Sequence, residues 1–279
     1  GSFNIQTVQA AEVSVQQTAQ TPTYQVYVNR IANCVTVYAK DANGEYTVPV
    51  RSFACSCGRE GMETPLGSFR TSDYYPWRLM VDGSFGQYAI RFNRGILFHS
   101  VPYYTAKNDD LEKDQFNLLG SDASLGCVRL AASDVKWLYD NCEKGTQVVV
   151  YDDAENPGPL GKPVQMQLNV EHPFAGWDPT DSNPENPWNT VRPSLYLTQD
   201  MGDGVLYVPA GTTVEQLKQY VGLKNVEGLA YAPQDYQLYI NGNYDLNTQG
   251  AYRVWISGQD VAGTMVQQEM ILAVVQYNN

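Results

Sequence analysis

Histidine is nearly missing from this chain: 279 residues contain two, His99 and His172. Because histidine is the usual base for a thiol nucleophile, any such pairing narrows to these positions. No apolar run approaches the length of a membrane span. Basic residues are in the minority, 18 Lys and Arg against 30 Asp and Glu, giving a formal net charge of −12. A nucleic-acid-binding face needs the opposite sign, so no nucleic-acid partner is expected. No block of like charge stands out, and the acidity reads as a solvated surface. Metal-ligand spacing is absent too. Cys55-Ser56-Cys57 has a single intervening residue, and no second Cys or His pair follows at finger spacing. Neither metal nor other cofactor is therefore expected.

What is present favours β-structure. Twenty tyrosines against eight phenylalanines suit half-wet strand surfaces, as in β-rich extracellular proteins. Gly1-Ser2 reads as an expression scar. The Gln-, Thr- and Ala-rich residues to Pro22 read as a disordered stem left by a removed signal peptide or membrane anchor, with Val8-Gln9-Ala10 resembling a signal-peptide end. Tyr24–Val28, Cys34–Tyr38 and Tyr46–Phe53 alternate as strands, with a turn at Asp41-Ala42-Asn43-Gly44; Pro49 marks an edge or bulge. Further strands are expected at Tyr88–Phe92, Gly95–Phe98 and Gln147–Tyr151. One helix, Val135–Cys142, is capped by Ser133-Asp134 and stopped at Gly145. Residues 101–121 read as a long loop or lid.

The domain expectation is a stem at 1–22, a β-rich domain at 23–155, a Pro-, Asn- and Gly-rich connector at 156–188 pinned by Trp177 and Trp188, and a β-sandwich at 189–279. Within the last, strands are expected at 195–197, 205–208, 237–240, 251–256 and 270–275, and Thr212-Thr213-Val214-Glu215 reads as a capping box. The five cysteines, an odd number for a secreted chain, predict two disulfides and one free thiol. Of three connectivities, Cys55–Cys142 with Cys34–Cys57 is favoured, leaving Cys127 free.

Cys127 lies in Ser124-Leu125-Gly126-Cys127-Val128-Arg129-Leu130, downstream of Phe98-His99-Ser100. A thiol near pKa 8.5 must become a thiolate to attack a carbonyl, and His99 at a strand end is the base available. Ser100 or a nearby backbone carbonyl would orient the imidazole. Gly126 would let backbone N–H groups approach an oxyanion, and Arg129 offers a planar fork for a carboxylate or for bracing the loop. Trp77, Tyr103 and Tyr104 are candidate cleft walls.

With Thr64-Pro65-Leu66-Gly67-Ser68-Phe69 upstream, these pieces in this order resemble the L,D-transpeptidase (YkuD-type) catalytic domain of bacterial cell-wall enzymes. The helix Asp134–Asn141 and the strand Gly145–Val150 extend the resemblance over residues 23–155. It implies a mainly β, sandwich-like catalytic domain with one main helix. Cys127 would attack a peptide-stem carbonyl, with His99 as base, Ser100 as orienter, and Gly126, Arg129 and Ser124 around substrate and oxyanion. The implied product is a peptidoglycan cross-link through a thioester acyl-enzyme. L,D-carboxypeptidase activity and a catalytically silent wall-binding protein remain the alternatives, and a secreted cysteine protease is disfavoured. Implied partners are peptidoglycan stems, with carbapenem-type β-lactams as inhibitors. The implied location is extracytoplasmic, on the wall or surface of a Gram-positive bacterium, with membrane attachment only through a removed N-terminal anchor. Two departures stand out: Leu125 occupies a position where many members have a second histidine, and His99 to Ser124 is long, with Lys107–Leu119 as a lid. Gly250–Ile256 with Asp260-Val261-Ala262-Gly263 resembles a bacterial Ig-like module, implying a spacer or a wall-binding domain.

Overall fold

The computed structural model describes residues 21–164 and 166–277. The expected stem, apart from Thr21 and Pro22, lies outside the described residues.

Alternating β-branched residues build the first sheet. Strands β1 (Tyr24–Asn29), β2 (Cys34–Lys40) and β3 (Tyr46–Ala54) run antiparallel. The parallel strand β9 (Gln147–Tyr151) and then β4 (Gly67–Arg70) complete the order β3-β2-β1-β9-β4. Pro49 lies on the edge strand, where the register slips between Val37 and Tyr38, as a residue without an N–H requires. A second sheet has the order β5-β6-β7-β8: β5 (Tyr74–Leu79), β6 (Phe85–Asn93), β7 (Ile96–Ser100) and β8 (Val128–Leu130). Strand β5 escapes sequence reading because Pro76 interrupts it. The pairing with β6 passes over Pro76, and the residue opposite, Tyr88, has φ +53°.

Helix α2 (Ala132–Asn141) closes the core between these sheets. Val135 and Leu138 are buried there with Val28, Val35, Ile90 and Phe98. Each fully buried aliphatic chain contributes about 1.5–3 kcal/mol. The helix starts earlier than expected, and neither Ser133 nor Asp134 caps it. The cap comes from the connector: Asp178 Oδ2 accepts the Ala132 N–H at 2.9 Å and Thr180 Oγ1 accepts the Ser133 N–H at 3.0 Å. Two of the N–H groups left over at a helix start are thus satisfied by residues far along the chain.

The expected lid is held down rather than free. Residues 101–121 include a short helix α1 (Lys113–Phe116), and Tyr103, Leu111, Phe116 and Leu119 are buried. They form a separate core with Leu168, Ala175 and Trp188 of the connector. Asn117 and Leu168 exchange two hydrogen bonds, at 2.8 and 2.6 Å, and Leu111 N–H donates to the Gly176 carbonyl at 2.9 Å. Tyr103 meets Trp77 edge-on at 5.1 Å within this packing, so these two are core rather than cleft wall; Tyr104 is exposed. Apolar burial inside a polar-looking segment is what sequence patterning underestimates.

The C-terminal part has a four-stranded sheet, β11-β15-β14-β13, formed by β11 (Val205–Pro209), β13 (Tyr236–Asn241), β14 (Gly250–Asp260) and β15 (Met265–Val275). A two-stranded sheet of β10 (Ser194–Leu197) and β12 (Val221–Lys224) packs near it, with Leu195 and Leu223 against Gly258. Strand β12, four residues containing Gly222, was too short to read. Helix α3 (Val214–Lys218) does carry a capping box, but one residue later than expected: Thr213 pairs with Gln216.

The expected disulfide pairings are not seen in the structure. All five cysteines are free thiols. Cys34 contacts Ser52 Oγ at 3.3 Å instead of Cys57, and the Cys55 and Cys57 sulfurs lie 3.8 Å apart as thiols. Counting cysteines presumes an oxidising history that the packing does not require.

Candidate active site

Strands β7 and β8 run parallel, with Phe98 opposite Val128, His99 opposite Arg129 and Ser100 opposite Leu130. That register sets His99, on β7, opposite Arg129, two residues along the neighbouring strand from Cys127. Cys127 Sγ accepts the Leu97 N–H at 3.4 Å and donates toward the Gly95 carbonyl at 3.6 Å.

The loop before the thiol is braced from within. Gly126 N–H donates to Ser124 Oγ at 3.0 Å, and Ser124 Oγ donates to the Cys127 carbonyl at 2.5 Å. Ser124 is buried, so its hydroxyl shapes the loop and does not face solvent. The Gly126 amide itself is engaged by Ser124. Glycine is needed there for another reason: φ is +129°, and a Cβ would meet Ile96 Cδ1 at 2.9 Å. Thr64 explains the Thr-Pro motif. Its hydroxyl donates to the Gly126 carbonyl at 2.8 Å and accepts the Gly58 N–H at 3.0 Å, making it a buried strut beneath the loop.

His99 is buried, with Nδ1 2.6 Å from the Ser100 carbonyl oxygen. A carbonyl only accepts, so Nδ1 carries the proton and Nε2 is left as the basic nitrogen. The orienting group is therefore the Ser100 backbone. Its hydroxyl is occupied elsewhere, accepting the Gln87 N–H and donating to the Val101 carbonyl, both at 2.8 Å. Behind the ring sits Gly86, where a Cβ would fall 2.8 Å from His99 Cβ, Cγ and Nδ1 alike. Sequence reading missed Gly86, because only the pairing of β6 with β7 shows what it faces.

Burial favours the neutral form of both His99 and Cys127. Burial pushes the His99 imidazole down to about 4, and the nearby Arg129 charge adds to the fall. Burial raises the Cys127 thiol, opposed by the Leu97 N–H and by Arg129. Arg129 is itself buried, and burial lowers its pKa. Its Nη1 donates to Gln115 Oε1 of α1 at 2.7 Å, while Nε has no partner. Among the described residues no carboxylate forms an ion pair with it; Asp82 and Glu112 act only through space. Such a site can take a proton from a thiol, hold an acyl group on sulfur and present a positive charge beside it. The second histidine, His172, stacks on Trp188 at 4.4 Å in the connector, outside this constellation. No group of three or more His, Cys, Asp or Glu among the described residues could hold a metal.

Residues 23–150 match the YkuD family, the L,D-transpeptidase catalytic domain. YciB of Bacillus subtilis strain 168, provisionally described as an L,D-transpeptidase, is 44% identical over 54 residues, 19% of this chain and 27% of its own length. Among solved structures, an L,D-transpeptidase from Mycobacterium smegmatis is 20% identical with a TM-score of 0.38, covering 46% of this chain and 58% of that one. LdtMt1 in complex with imipenem is 23% identical at a TM-score of 0.37, over 46% and 59%. Mycobacterium tuberculosis L,D-transpeptidase 3 with a faropenem-derived adduct is 22% identical at 0.36, over 47% and 61%. This chain thus spans about a quarter of the curated relative and under two thirds of these solved chains.

Proposed function

We propose that the catalytic domain at residues 23–150 is an active peptidoglycan L,D-transpeptidase. The observation that carries this reading is the β7–β8 register, which brings the Cys127 loop beside a buried His99 whose Nδ1 is tied to the Ser100 carbonyl. His99 Nε2 takes the thiol proton as Sγ attacks a stem-peptide carbonyl, avoiding a separated ion pair in a buried resting site. Collapse of the tetrahedral adduct returns that proton to the leaving amine of a terminal residue and leaves a thioester on Cys127. An amine of a neighbouring stem then attacks the thioester, closing the cross-link and freeing the thiol. Water in place of the amine gives L,D-carboxypeptidase activity from the same acyl-enzyme; which nucleophile prevails depends on access to the cleft.

A carbapenem is expected to acylate the same sulfur. The reading also places the protein outside the cytoplasm, at the cell wall, and treats residues 189–279 as an Ig-like spacer or wall-binding module. The test is mass spectrometry of tetrapeptide muropeptides incubated with the protein and with Cys127→Ala. A cross-linked dimer made only by the unmodified protein supports transpeptidation. Tripeptide alone indicates the carboxypeptidase, and a dimer still formed by Cys127→Ala refutes the mechanism.

A further inference from the structure

We propose that Gln115 is a positioning residue: it holds the Arg129 guanidinium beside Cys127 without neutralising it, so that the site favours reactants bearing a carboxylate. The proposal deepens the acyl-transfer reading and rests on it for the natural substrate.

Three observations meet here. First, Arg129 is buried with one direct side-chain hydrogen bond, Nη1 to Gln115 Oε1 at 2.7 Å, and an unpartnered Nε. A buried guanidinium ordinarily pairs with a carboxylate, because an uncompensated charge is costly to desolvate. Here Glu112 and Asp114 lie just before the position in sequence, yet the side chain that reaches Arg129 is the neutral one. The charged groups that act on Arg129 through space are Asp82, Glu112 and Arg59, with Cys127 once ionised. None of the carboxylates closes an ion pair, so the guanidinium keeps its charge for an incoming group.

Second, that charge is felt at the reacting sulfur, since Arg129 favours the thiolate form of Cys127. An anion placed for reaction at Sγ therefore shares the field of Arg129.

Third, Gln115 is held by the packing of the two residues that follow it in the chain. The next residue, Phe116, is fully buried in the core that α1 shares with Leu168 and Trp188, and Asn117 exchanges two hydrogen bonds with Leu168. The segment that delivers Gln115 is thus fixed by the connector, as a positioning group must be.

The test uses two alkylating probes of similar size, iodoacetate and iodoacetamide, on the full chain. Each forms an S–C bond to Cys127 as iodide leaves, and mass spectrometry of the Cys127 peptide gives the two rates. Their ratio reads the charge beside the sulfur. A change in thiol pKa, or a general loosening of the fold, moves both rates alike. In Gln115→Glu the new carboxylate pairs with Arg129, and the iodoacetate-to-iodoacetamide ratio is expected to fall about fivefold from the unmodified protein. In Gln115→Met, similar in length but without the amide, the charge remains and its placement is lost; the ratio is expected to fall about twofold. Should Gln115→Glu fail to fold, Gln115→Met decides. An unchanged ratio in the folded variants overturns the proposal, whatever the muropeptide assay shows. A fallen ratio in a protein that makes no muropeptide product upholds the role of Gln115 while removing transpeptidation as its purpose.

Discussion

Gly86→Ala is the sharpest test of whether His99 must stand where it does. Gly86 lies within strand β6, outside the positive-φ region, so an alanine meets no backbone strain and its effect is purely steric. The added Cβ would sit 2.8 Å from three atoms at the base of the His99 side chain. Carbon contacts are comfortable near 3.5–4.0 Å, so the imidazole or strand β7 must retreat by about 0.7 Å or more. Because the crowded atoms include Cβ and Cγ, a rotation about the end of the side chain relieves little. Overpacking of this kind costs about 1–3 kcal/mol, which lowers Tm by roughly 2–12 °C for a domain of this size. A base displaced by somewhat under an ångström loses about 10- to 100-fold in rate. The assay is stopped-flow acylation of Cys127 by a carbapenem at 25 °C, alongside a thermal melt of the same preparation. A rate within twofold of the unmodified protein, on a folded sample whose Tm has dropped, would refute the argument that the ring's position is what the reaction needs.

Four further outcomes are expected. With His99 depressed to about 4, the acid limb of the acylation rate is expected near pH 4 instead of near the usual 6.5; a limb at 6–7 would disprove a buried neutral base. Burial raises Asp134 to about 7, with help from the Asp178 charge, and raises Asp178 to about 6. The folded state then binds more protons than the unfolded one between about pH 4 and 7, so their contribution falls as pH rises through that window. Asp134→Asn is expected to raise Tm at pH 8 by about 2–4 °C and to flatten the dependence, as read by calorimetry across pH. Asn117→Ala removes the paired bonds to Leu168, at about 0.5–1.5 kcal/mol each, and hydrogen exchange in residues 111–119 is expected to quicken before the rest of the domain. Trp188→Ala, deleting a buried ring from the same core, is expected to cost about 3–5 kcal/mol by denaturant titration; a loss under 1 kcal/mol would mean that the connector packing is dispensable.

The sequence made local features legible and long-range ones opaque. Strands such as Tyr24–Asn29 and Cys34–Lys40 declare themselves through alternation, and the edge position of β3 through Pro49. The order of His99 and the Cys127 loop was readable because each is a short motif. The groups that hold them were not. Ser100 orients His99 through its carbonyl, which every residue possesses, and Gly86 and Gln115 meet their partners only after strands pair and α1 docks. Asp178 capping a helix 46 residues earlier leaves no mark in a local window, so Ser133 and Asp134 looked like the natural caps. Cysteine pairing was not legible either, because an odd cysteine number says nothing about which sulfurs approach each other.

The connector that caps α2 and seals the 101–121 segment bears on where this protein can be cut or recombined. The family match stops at residue 150, yet Asp178, Thr180, Leu168 and Trp188 complete surfaces that lie before it. The stretch that matches a known family is therefore shorter than the unit that keeps these contacts. A fragment ending near 155 would expose the apolar underside of the segment carrying Gln115 and leave the start of α2 uncapped. A graft of this N-terminal domain onto another protein would need to carry the chain onward to about residue 192, where Arg192 ties back to the Pro179 carbonyl. Likeness and self-sufficiency have different borders in this molecule.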